Sequence, residues 1–223
     1  LDHTFAGKIS TCLVNPRACH ETELVVTPAE EKKRFAVVGA GAAGMTAALT
    51  LAERGHVVTL MEQSNQIGGQ LNYAKQVPGK EEFHGLVDWF ATMIERSSVT
   101  LKLNTTADVA GLAGFDAVVI ATGVTPRDPQ IPTDARAQVV SYADLLSGVA
   151  KAGRSVAVIG AGGIGFDVAE FLVEKNPSAT MRPADWRKEW GVADPEQKRG
   201  GLADPEPAPA ERQVTLMQRK PEK

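Results

Sequence analysis

A glycine-rich stretch near the start of the chain has the spacing that binds a diphosphate. Residues 39–44 read Gly-Ala-Gly-Ala-Ala-Gly, the G-x-G-x-x-G pattern. Its first glycine permits a tight turn, its second lets the backbone approach a pyrophosphate, and its third lets a helix pack closely on a strand. Free N–H groups and the positive dipole end at the start of that helix would bind the anion. The predicted contacts to the pyrophosphate are Gly39, Gly41, Ala42, Ala43 and Gly44.

The residues on either side of this loop fit a nucleotide-binding β-α-β unit. A strand is predicted over Phe35 to Val38, a helix follows the loop and ends at Arg54-Gly55, and a second strand covers Val57 to Met61. Glu62 lies at the tip of that strand, roughly 20 residues after the loop, where a carboxylate can accept hydrogen bonds from a ribose hydroxyl. We include the adjoining Gln63 in this predicted site. The plainer alternative is a glycine-rich turn beside a solvated glutamate.

A second copy of the pattern lies in the second half of the chain. A strand is predicted over Val156 to Ile159 and a helix over Phe166 to Lys175, and Gln213 to Met217 resumes as the second strand after an interruption. Basic residues replace the acid at the tip of this strand. Cations attract the 2′-phosphate of NADP, so we predict NADP(H) here, the alternative being a solvated basic tail. The predicted site consists of Gly160, Gly162, Gly163, Ile164, Gly165, Arg219 and Lys220, with Gln218 beside them.

Other apolar patterns indicate how the first unit continues. One face of a helix that begins with Glu81 and Glu82 is predicted to pack on the core, and a strand is predicted over Val99 to Leu103. Phe115 to Ile120 is fully apolar, which is typical of a buried parallel strand. It ends at Ala121, Thr122 and Gly123, small residues placed where carboxyl ends of parallel strands bind ligands. The apolar helix face consists of Phe83, Leu86, Val87, Phe90 and Ile94.

Composition describes an ordinary globular protein and excludes several classes. The chain has 223 residues, 43% of them hydrophobic and 23% charged, with a formal net charge of −3 and scattered basic residues. This balance argues against a nucleic-acid or membrane-surface partner. No apolar run approaches the roughly 20 residues of a membrane span, and no signal pattern begins the chain, so we expect a cytoplasmic location.

The two cysteines and the division of the chain allow further expectations. Cys12 and Cys19 are, on spacing alone, most simply ordinary thiols. We predict an arm over residues 1–33, one nucleotide-binding domain over 34–126 and a second over 127–223. The second domain carries an insertion at 176–211, in which Trp186 and Trp190 are expected to anchor to the core.

The motifs together resemble the two-dinucleotide-binding-domain flavoproteins. The resemblance rests on both glycine patterns, on Gly68-Gly69-Gln70 and on the Ala-Thr-Gly strand end. Two longer stretches, residues 11–21 and 72–83, are similar to the bacterial 2,4-dienoyl-CoA reductase family, which is related to old yellow enzyme and trimethylamine dehydrogenase. Residues 189–191, 200–202 and 216–220 carry the same similarity. The implied fold is Rossmann-like α/β, with an FAD domain and a partial inserted NAD(P)H domain.

The resemblance also implies cofactors and roles. FAD would bind in the first unit and NADPH in the second, with Gly69 and Gln70 lining the path toward the flavin. In the family an FMN-containing barrel and a [4Fe–4S] segment come first, and the position of Cys12 is a cluster ligand. This chain resembles only the C-terminal portion, so we expect a piece of the enzyme without its barrel, cluster or enoyl-reducing activity and with an unfinished second sheet. We predict no catalytic acid or base.

Two other interpretations stay open at this point. One is a pyridine-nucleotide reductase subunit of the glutamate-synthase type, which would supply electrons to a separate partner. The other is a nucleotide-binding domain without redox work, with ADP in place of FAD, as in some amine dehydrogenase relatives.

Overall fold

The computed structural model describes residues 2–219, which form two compact units. The first unit contains the residues up to Leu71 together with Gly85–Val124, and the second contains Asn72–His84 together with the residues from Thr125 onward. Within the described range, no helix combines the length and apolar character needed to cross a membrane.

Eight α-helices and six β-strands are present in the described range, with short 3₁₀ turns at Ala179–Met181 and Arg199–Gly201. The helices are α1 (Asp2–Phe5), α2 (Ala42–Glu53), α3 (Leu71–Ala74), α4 (Glu82–Arg96), α5 (Val109–Leu112), α6 (Tyr142–Leu146), α7 (Gly163–Val173) and α8 (Pro183–Trp190). The strands are β1 (Arg34–Val38), β2 (Val57–Met61), β3 (Thr100–Lys102), β4 (Ala117–Ile120), β5 (Ser155–Ile159) and β6 (Gln213–Met217).

The first unit contains a parallel sheet in the order β3-β2-β1-β4. In its centre Val38 pairs with Met61 of β2 and with Ile120 of β4, so these three strands end at the same edge of the sheet. The predicted β-α-β unit is therefore confirmed, including the end of α2 at Glu53 and the bounds of β2. The Rossmann-like α/β fold class is confirmed as well.

Two helices cover this sheet and form its core. Met45 and Ala48 of α2 are fully buried, and they cluster with the fully buried Val37, Val58 and Leu60 of the central strands. On α4 the buried residues are Val87, Phe90 and Ile94, which lie on the predicted apolar face. That face is used for packing, because burying such a stripe against a sheet is what stabilises an amphipathic helix.

Two strand predictions for the first unit need correction. The strand predicted over Val99 to Leu103 is shorter and comprises only β3. The strand predicted as buried, Phe115 to Ile120, is the edge strand β4, in which half-buried and exposed residues alternate and Ile120 is 68% exposed. β4 pairs with β1 alone among the described strands, so one of its faces and one of its edges remain open.

The second unit contains a two-stranded parallel sheet, β5-β6, packed against α7. The predicted helix over Phe166 to Lys175 begins earlier and ends earlier, because Gly162 is its N-cap and Glu174 its C-cap. The core includes Val168 and Leu172 of α7 and also Val77. Val77 lies within the predicted range 34–126, yet residues 72–84 pack entirely in the second unit.

Four observations explain why this excursion, residues 72–84, lies in the second unit. Val77 is 1% exposed, the rings of Tyr73 and Tyr142 meet edge to face at 6.1 Å, and Lys80 Nζ lies 2.6 Å from Asp167 Oδ2. Glu81 also accepts a hydrogen bond from the hydroxyl of Thr180. The excursion therefore contributes apolar and charged contacts to the core of the second unit.

The insertion predicted over residues 176–211 is held by local contacts. Gly191 has a left-handed conformation with φ of 65° at the end of α8, and an added Cβ there would meet the carbonyl of Ala203. Trp186 and Trp190 stack on each other with centroids 6.1 Å apart, and Trp190 is 67% exposed. The expectation that both rings anchor the insertion to the core is therefore wrong; they cover one another instead.

Candidate functional site

The glycine loop of the first unit begins where three strands end. The N–H of Gly39 donates to the carbonyl of Met61 at 2.8 Å, and the N–H of Ala121 donates to the carbonyl of Val38 at 2.8 Å. These bonds bring the segments that follow β1, β2 and β4 to one edge of the sheet. Carboxyl edges of parallel sheets are where α/β proteins bind ligands.

Close packing leaves no room for a side chain at Gly39 or Gly44. Gly39 has φ of 103°, and an added Cβ would meet the backbone of Ala121. A Cβ at Gly44 would meet the carbonyl oxygen of Gly39 and would lie 3.3 Å from Cβ of Ala121. Ala121, predicted to contact a ligand, thus packs against both glycines, while Thr122 and Gly123 are exposed beyond it.

The start of α2 presents unpaired donors beside open space. Gly41 is the N-cap, and the N–H of Met45 makes the first bond of the helix, to the carbonyl of Gly41 at 3.0 Å. The N–H groups of Ala42, Ala43 and Gly44 therefore have no acceptor within the helix. Ala42 and Ala43 are exposed, and nothing lies within 4 Å of an added Cβ at Gly41. The loop has both the donors and the room for a diphosphate.

Glu62 is directed at this loop. Its Oε2 accepts a hydrogen bond from the N–H of Ala40 at 2.8 Å, and its Oε1 accepts bonds from the N–H and hydroxyl of Ser64 at 2.9 and 2.8 Å. Burial raises the pKa of the Glu62 carboxyl, but the hydrogen bonds from Ser64 and Ala40 outweigh burial and hold the pKa below its ordinary value of 4.5. The side chain is therefore an anion at neutral pH. The adjoining Gln63 is exposed.

Gly68 and Gly69, which follow β2, pack against the glycine loop. The N–H of Gly68 donates to the carbonyl of Ala40 at 2.8 Å, and an added Cβ at Gly69 would lie 3.1 Å from Cα of Gly41. Gln70 reaches the segment after β4, where its Nε2 donates to the carbonyl of Val124 at 3.1 Å. Gly69 and Gln70 are both exposed, and Gly69 lies beside Gly41.

The structure adds Ser64 and Gly68 to the predicted residues. Ser64 is not predicted from the sequence, because a serine three positions after a strand gives no signal of its own. The sequence assigns no separate role to Gly68, whose N–H bonds to the carbonyl of Ala40 in the glycine loop.

The second unit repeats the geometry of the first. The N–H of Gly160, whose φ is 117°, donates to the carbonyl of Met217 at 2.8 Å, as Gly39 does to Met61. A Cβ at Gly165 would meet the carbonyl of Gly160. Gly162 is the N-cap of α7, and open space surrounds the Cβ positions of Gly162 and Gly163. Ile164, on the first turn, is 51% exposed.

This equivalence aligns the tips of the two second strands. Since Met61 corresponds to Met217, Gln218 occupies the place of Glu62 and Arg219 that of Gln63. Gln218 and Arg219 are exposed. Lys220, the remaining predicted residue, lies outside the described residues.

The described part of the chain does not by itself fit a metal centre. Cys12 and Cys19 are free and exposed, and no three His, Cys, Asp or Glu side chains between residues 2 and 219 form a group that could hold a metal ion. A [4Fe–4S] cluster is held by four ligands, and this chain has only two cysteines.

Comparisons with known proteins identify the family of the chain. A family model described as pyridine nucleotide-disulphide oxidoreductase matches residues 33–184. The chain is 38% identical over 180 residues to a metal reductase of Desulforamulus reducens, and 36% identical over 179 residues to an NADH oxidase of Thermoanaerobacter brockii. These matches cover 78% and 76% of this chain and 27% of each relative.

A solved structure is similar over the same part of the chain. The complex of 2-naphthoyl-CoA reductase with 2-naphthoyl-CoA matches with a TM-score of 0.70 and 35% identity, covering 76% of this chain and 26% of that one. The chain thus spans about a quarter of the length of these relatives. Both glycine loops lie inside the matched residues of the family model.

Proposed function

This chain belongs to the pyridine nucleotide-disulphide oxidoreductase family, and on that premise we propose that it is the electron-input portion of a larger flavoprotein oxidoreductase. The first unit would bind FAD and the second NADPH. The chemistry that the bound cofactors would supply is transfer of a hydride from NADPH to FAD and one-electron transfer through a [4Fe–4S] cluster to FMN, for reduction of a 2,4-dienoyl-CoA or related enone. The cluster and FMN would belong to other parts of the protein.

One observation supports the first binding site above all others. Free N–H groups at the start of α2 face open space, and the Glu62 carboxylate lies 2.8 Å from the N–H of Ala40 in the same loop. A diphosphate needs the donors, and the adjoining ribose needs an acceptor. In this proposal Gly41, Ala42 and Ala43 hold the diphosphate, and Glu62 holds the ribose.

Two valine substitutions test the two sites separately. Gly41 and Gly162 have ordinary backbone angles and no atom within 4 Å of an added Cβ, so the folded chain accepts a side chain at either position. We expect Gly41→Val to weaken FAD binding at least about tenfold and to leave NADPH binding unchanged, because the side chain fills the ligand's space. Gly162→Val should do the reverse. Each variant is the control for the other. Calorimetric titration with FAD and with NADPH measures the affinity of each site.

The bound molecule separates the redox proposal from its non-redox alternative. Purified protein should be yellow and should release FAD on denaturation. Colourless protein that releases ADP would instead favour a nucleotide-binding domain without redox work. A chain that binds neither FAD nor ADP, while circular dichroism shows it folded, would reject both.

The preference for NADPH is proposed from the exposed basic end of β6. Arg219 would pair with the 2′-phosphate, and no acid occupies the place equivalent to Glu62, where Gln218 stands. We expect Arg219→Ala to reduce NADPH affinity several-fold and to leave NADH affinity unchanged. One relative is an NADH oxidase, so a preference for NADH is the alternative. If NADH binds more tightly than NADPH, and Arg219→Ala does not change this, the proposed NADPH preference is wrong.

We also propose that Cys12 is one ligand of the cluster in a longer protein. Its thiol is exposed and has no disulfide partner, so it is accessible to a metal. The described chain alone does not fit the cluster, and no step within it depends on one. Expression together with an upstream segment that carries further cysteines should give the visible absorbance of a [4Fe–4S] cluster, and Cys12→Ser should abolish that absorbance while Cys19→Ser leaves it intact.

A further inference from the structure

Ser64 makes two hydrogen bonds with the Glu62 carboxylate. Its backbone N–H and its hydroxyl both donate to Oε1 of Glu62, at 2.9 and 2.8 Å. The hydroxyl also lies 2.8 Å from the carbonyl of Gln66, and its one proton favours the carboxylate because a charged acceptor is the stronger one. Two hydrogen bonds from Ser64 therefore fix one oxygen of the Glu62 carboxylate.

The remaining acceptor capacity of Glu62 can be counted. Each carboxylate oxygen accepts about two hydrogen bonds. Both positions on Oε1 are taken by Ser64, and one of the two on Oε2 is taken by the N–H of Ala40 at 2.8 Å. Among the described residues, the hydrogen bonds that the carboxylate accepts leave one position on Oε2. Glu62 is 9% exposed, so the carboxylate has little room to turn and offer its other oxygen.

We propose that Ser64 is a positioning residue that fixes Glu62 so that a single oxygen, Oε2, accepts one hydroxyl of a bound nucleotide's ribose. This inference rests on the proposed function of the first site. The chemical consequence is selectivity within the ribose. The site would read one of the two vicinal hydroxyls through Glu62 and would leave the other without a carboxylate contact.

Ligand analogues test the single contact without any substitution. ADP, 2′-deoxy-ADP and 3′-deoxy-ADP are titrated calorimetrically into the 223-residue chain. We expect one deoxy analogue to bind about tenfold more weakly than ADP, and the other to bind within roughly twofold of ADP. Equal losses for both analogues would overturn the single contact. Failure of both ADP and FAD to bind would reject the proposed function and this inference together.

Variants of Ser64 test the positioning role. In Ser64→Ala, the difference in affinity between ADP and 2′,3′-dideoxy-ADP should shrink by about threefold or more, because the carboxylate is held less firmly. Ser64→Thr keeps a hydroxyl and should restore the difference. Asn65→Ala alters an exposed neighbour in the same loop and should change nothing. A Ser64→Ala chain with an unaltered ADP-to-dideoxy ratio would overturn the proposal.

A spectroscopic measurement separates positioning from general loosening of the fold. Loss of the hydroxyl removes a donor to the Glu62 carboxylate, so the pKa of Glu62 should move up toward its ordinary value in Ser64→Ala and return in Ser64→Thr. NMR titration of the labelled glutamate carboxyl carbons gives this pKa directly. If the pKa of Glu62 is the same in the parent chain and in Ser64→Ala, the Ser64 hydroxyl does not bond to the carboxylate and the positioning role is wrong.

Discussion

Oε2 of Glu62 accepts a hydrogen bond from the backbone N–H of Ala40 at 2.8 Å, linking the tip of β2 to the loop that follows β1. Ala40 is fully buried, so its N–H has no access to solvent. The bond therefore satisfies a buried donor and at the same time holds a carboxylate beside the start of α2. Stability depends on this carboxylate, and so does the ribose binding that we propose for it.

The Glu62 carboxylate should make stability depend on pH. Its folded-state pKa is depressed below 4.5, so its contribution is fully present above that value and is lost as the pH falls through the lower folded-state pKa. We expect Glu62→Gln to lower the free energy of unfolding by about 1–3 kcal/mol at neutral pH and progressively less in acid. Urea unfolding of both chains across this range measures the difference. A difference that does not change with pH would contradict the carboxylate's role.

Alanine substitutions in the glycine loop should have unequal effects on stability. A Cβ at Gly44 meets the carbonyl of Gly39, whereas a Cβ at Gly41 meets nothing within 4 Å. We expect Gly44→Ala to destabilise the chain by about 1–3 kcal/mol, as overpacking does, and Gly41→Ala to change stability by less than about 0.5 kcal/mol. Urea unfolding with both variants in parallel decides this. Equal effects would show that the two positions are packed alike.

Removing the buried side chain of Val77 should loosen the second unit. Val77 is 1% exposed and clusters with Val168 and Leu172 of α7. Val77→Ala leaves a cavity that we expect to cost about 2 kcal/mol and to speed amide exchange in α7. Hydrogen–deuterium exchange with mass spectrometry resolves that helix. Val109→Ala, at a position 89% exposed, is the matched control and should leave exchange unchanged.

The Lys80–Asp167 ion pair should influence a neighbouring carboxylate. Burial raises the pKa of Glu170, and the negative charges of Glu174 and Asp167 raise it further, while Lys80 opposes them. Lys80→Met should therefore raise the pKa of Glu170 more, because the opposing cation is gone. NMR titration of the glutamate carboxyls measures this shift. Lys75→Met removes a cation that is not among the charges acting on Glu170, and it should leave that pKa unaltered.

The sequence by itself determined the local parts of both sites. The spacing of Gly39, Gly41 and Gly44 specifies a turn, a ligand approach and a close helix contact, all within one strand-loop-helix segment. The same reasoning located Gly160, Gly162 and Gly165, and the resemblance to flavoproteins indicated the family. These features depend on neighbours a few residues away, so a linear pattern is sufficient to predict them.

Only the tertiary structure decided which distant residues meet. Gly68 bonds to Ala40, Gln70 bonds to Val124, and residues 72–84 leave the unit that precedes them to pack against α7. The residues near each of these positions in sequence do not predict these contacts. Each contact depends on the order of the strands in the sheet and on which apolar surfaces pack together. Burial of β4 was predicted wrongly for the same reason. An apolar strand has one composition whether it lies in the centre or at the edge of a sheet, and its exposure is set by its neighbours in space.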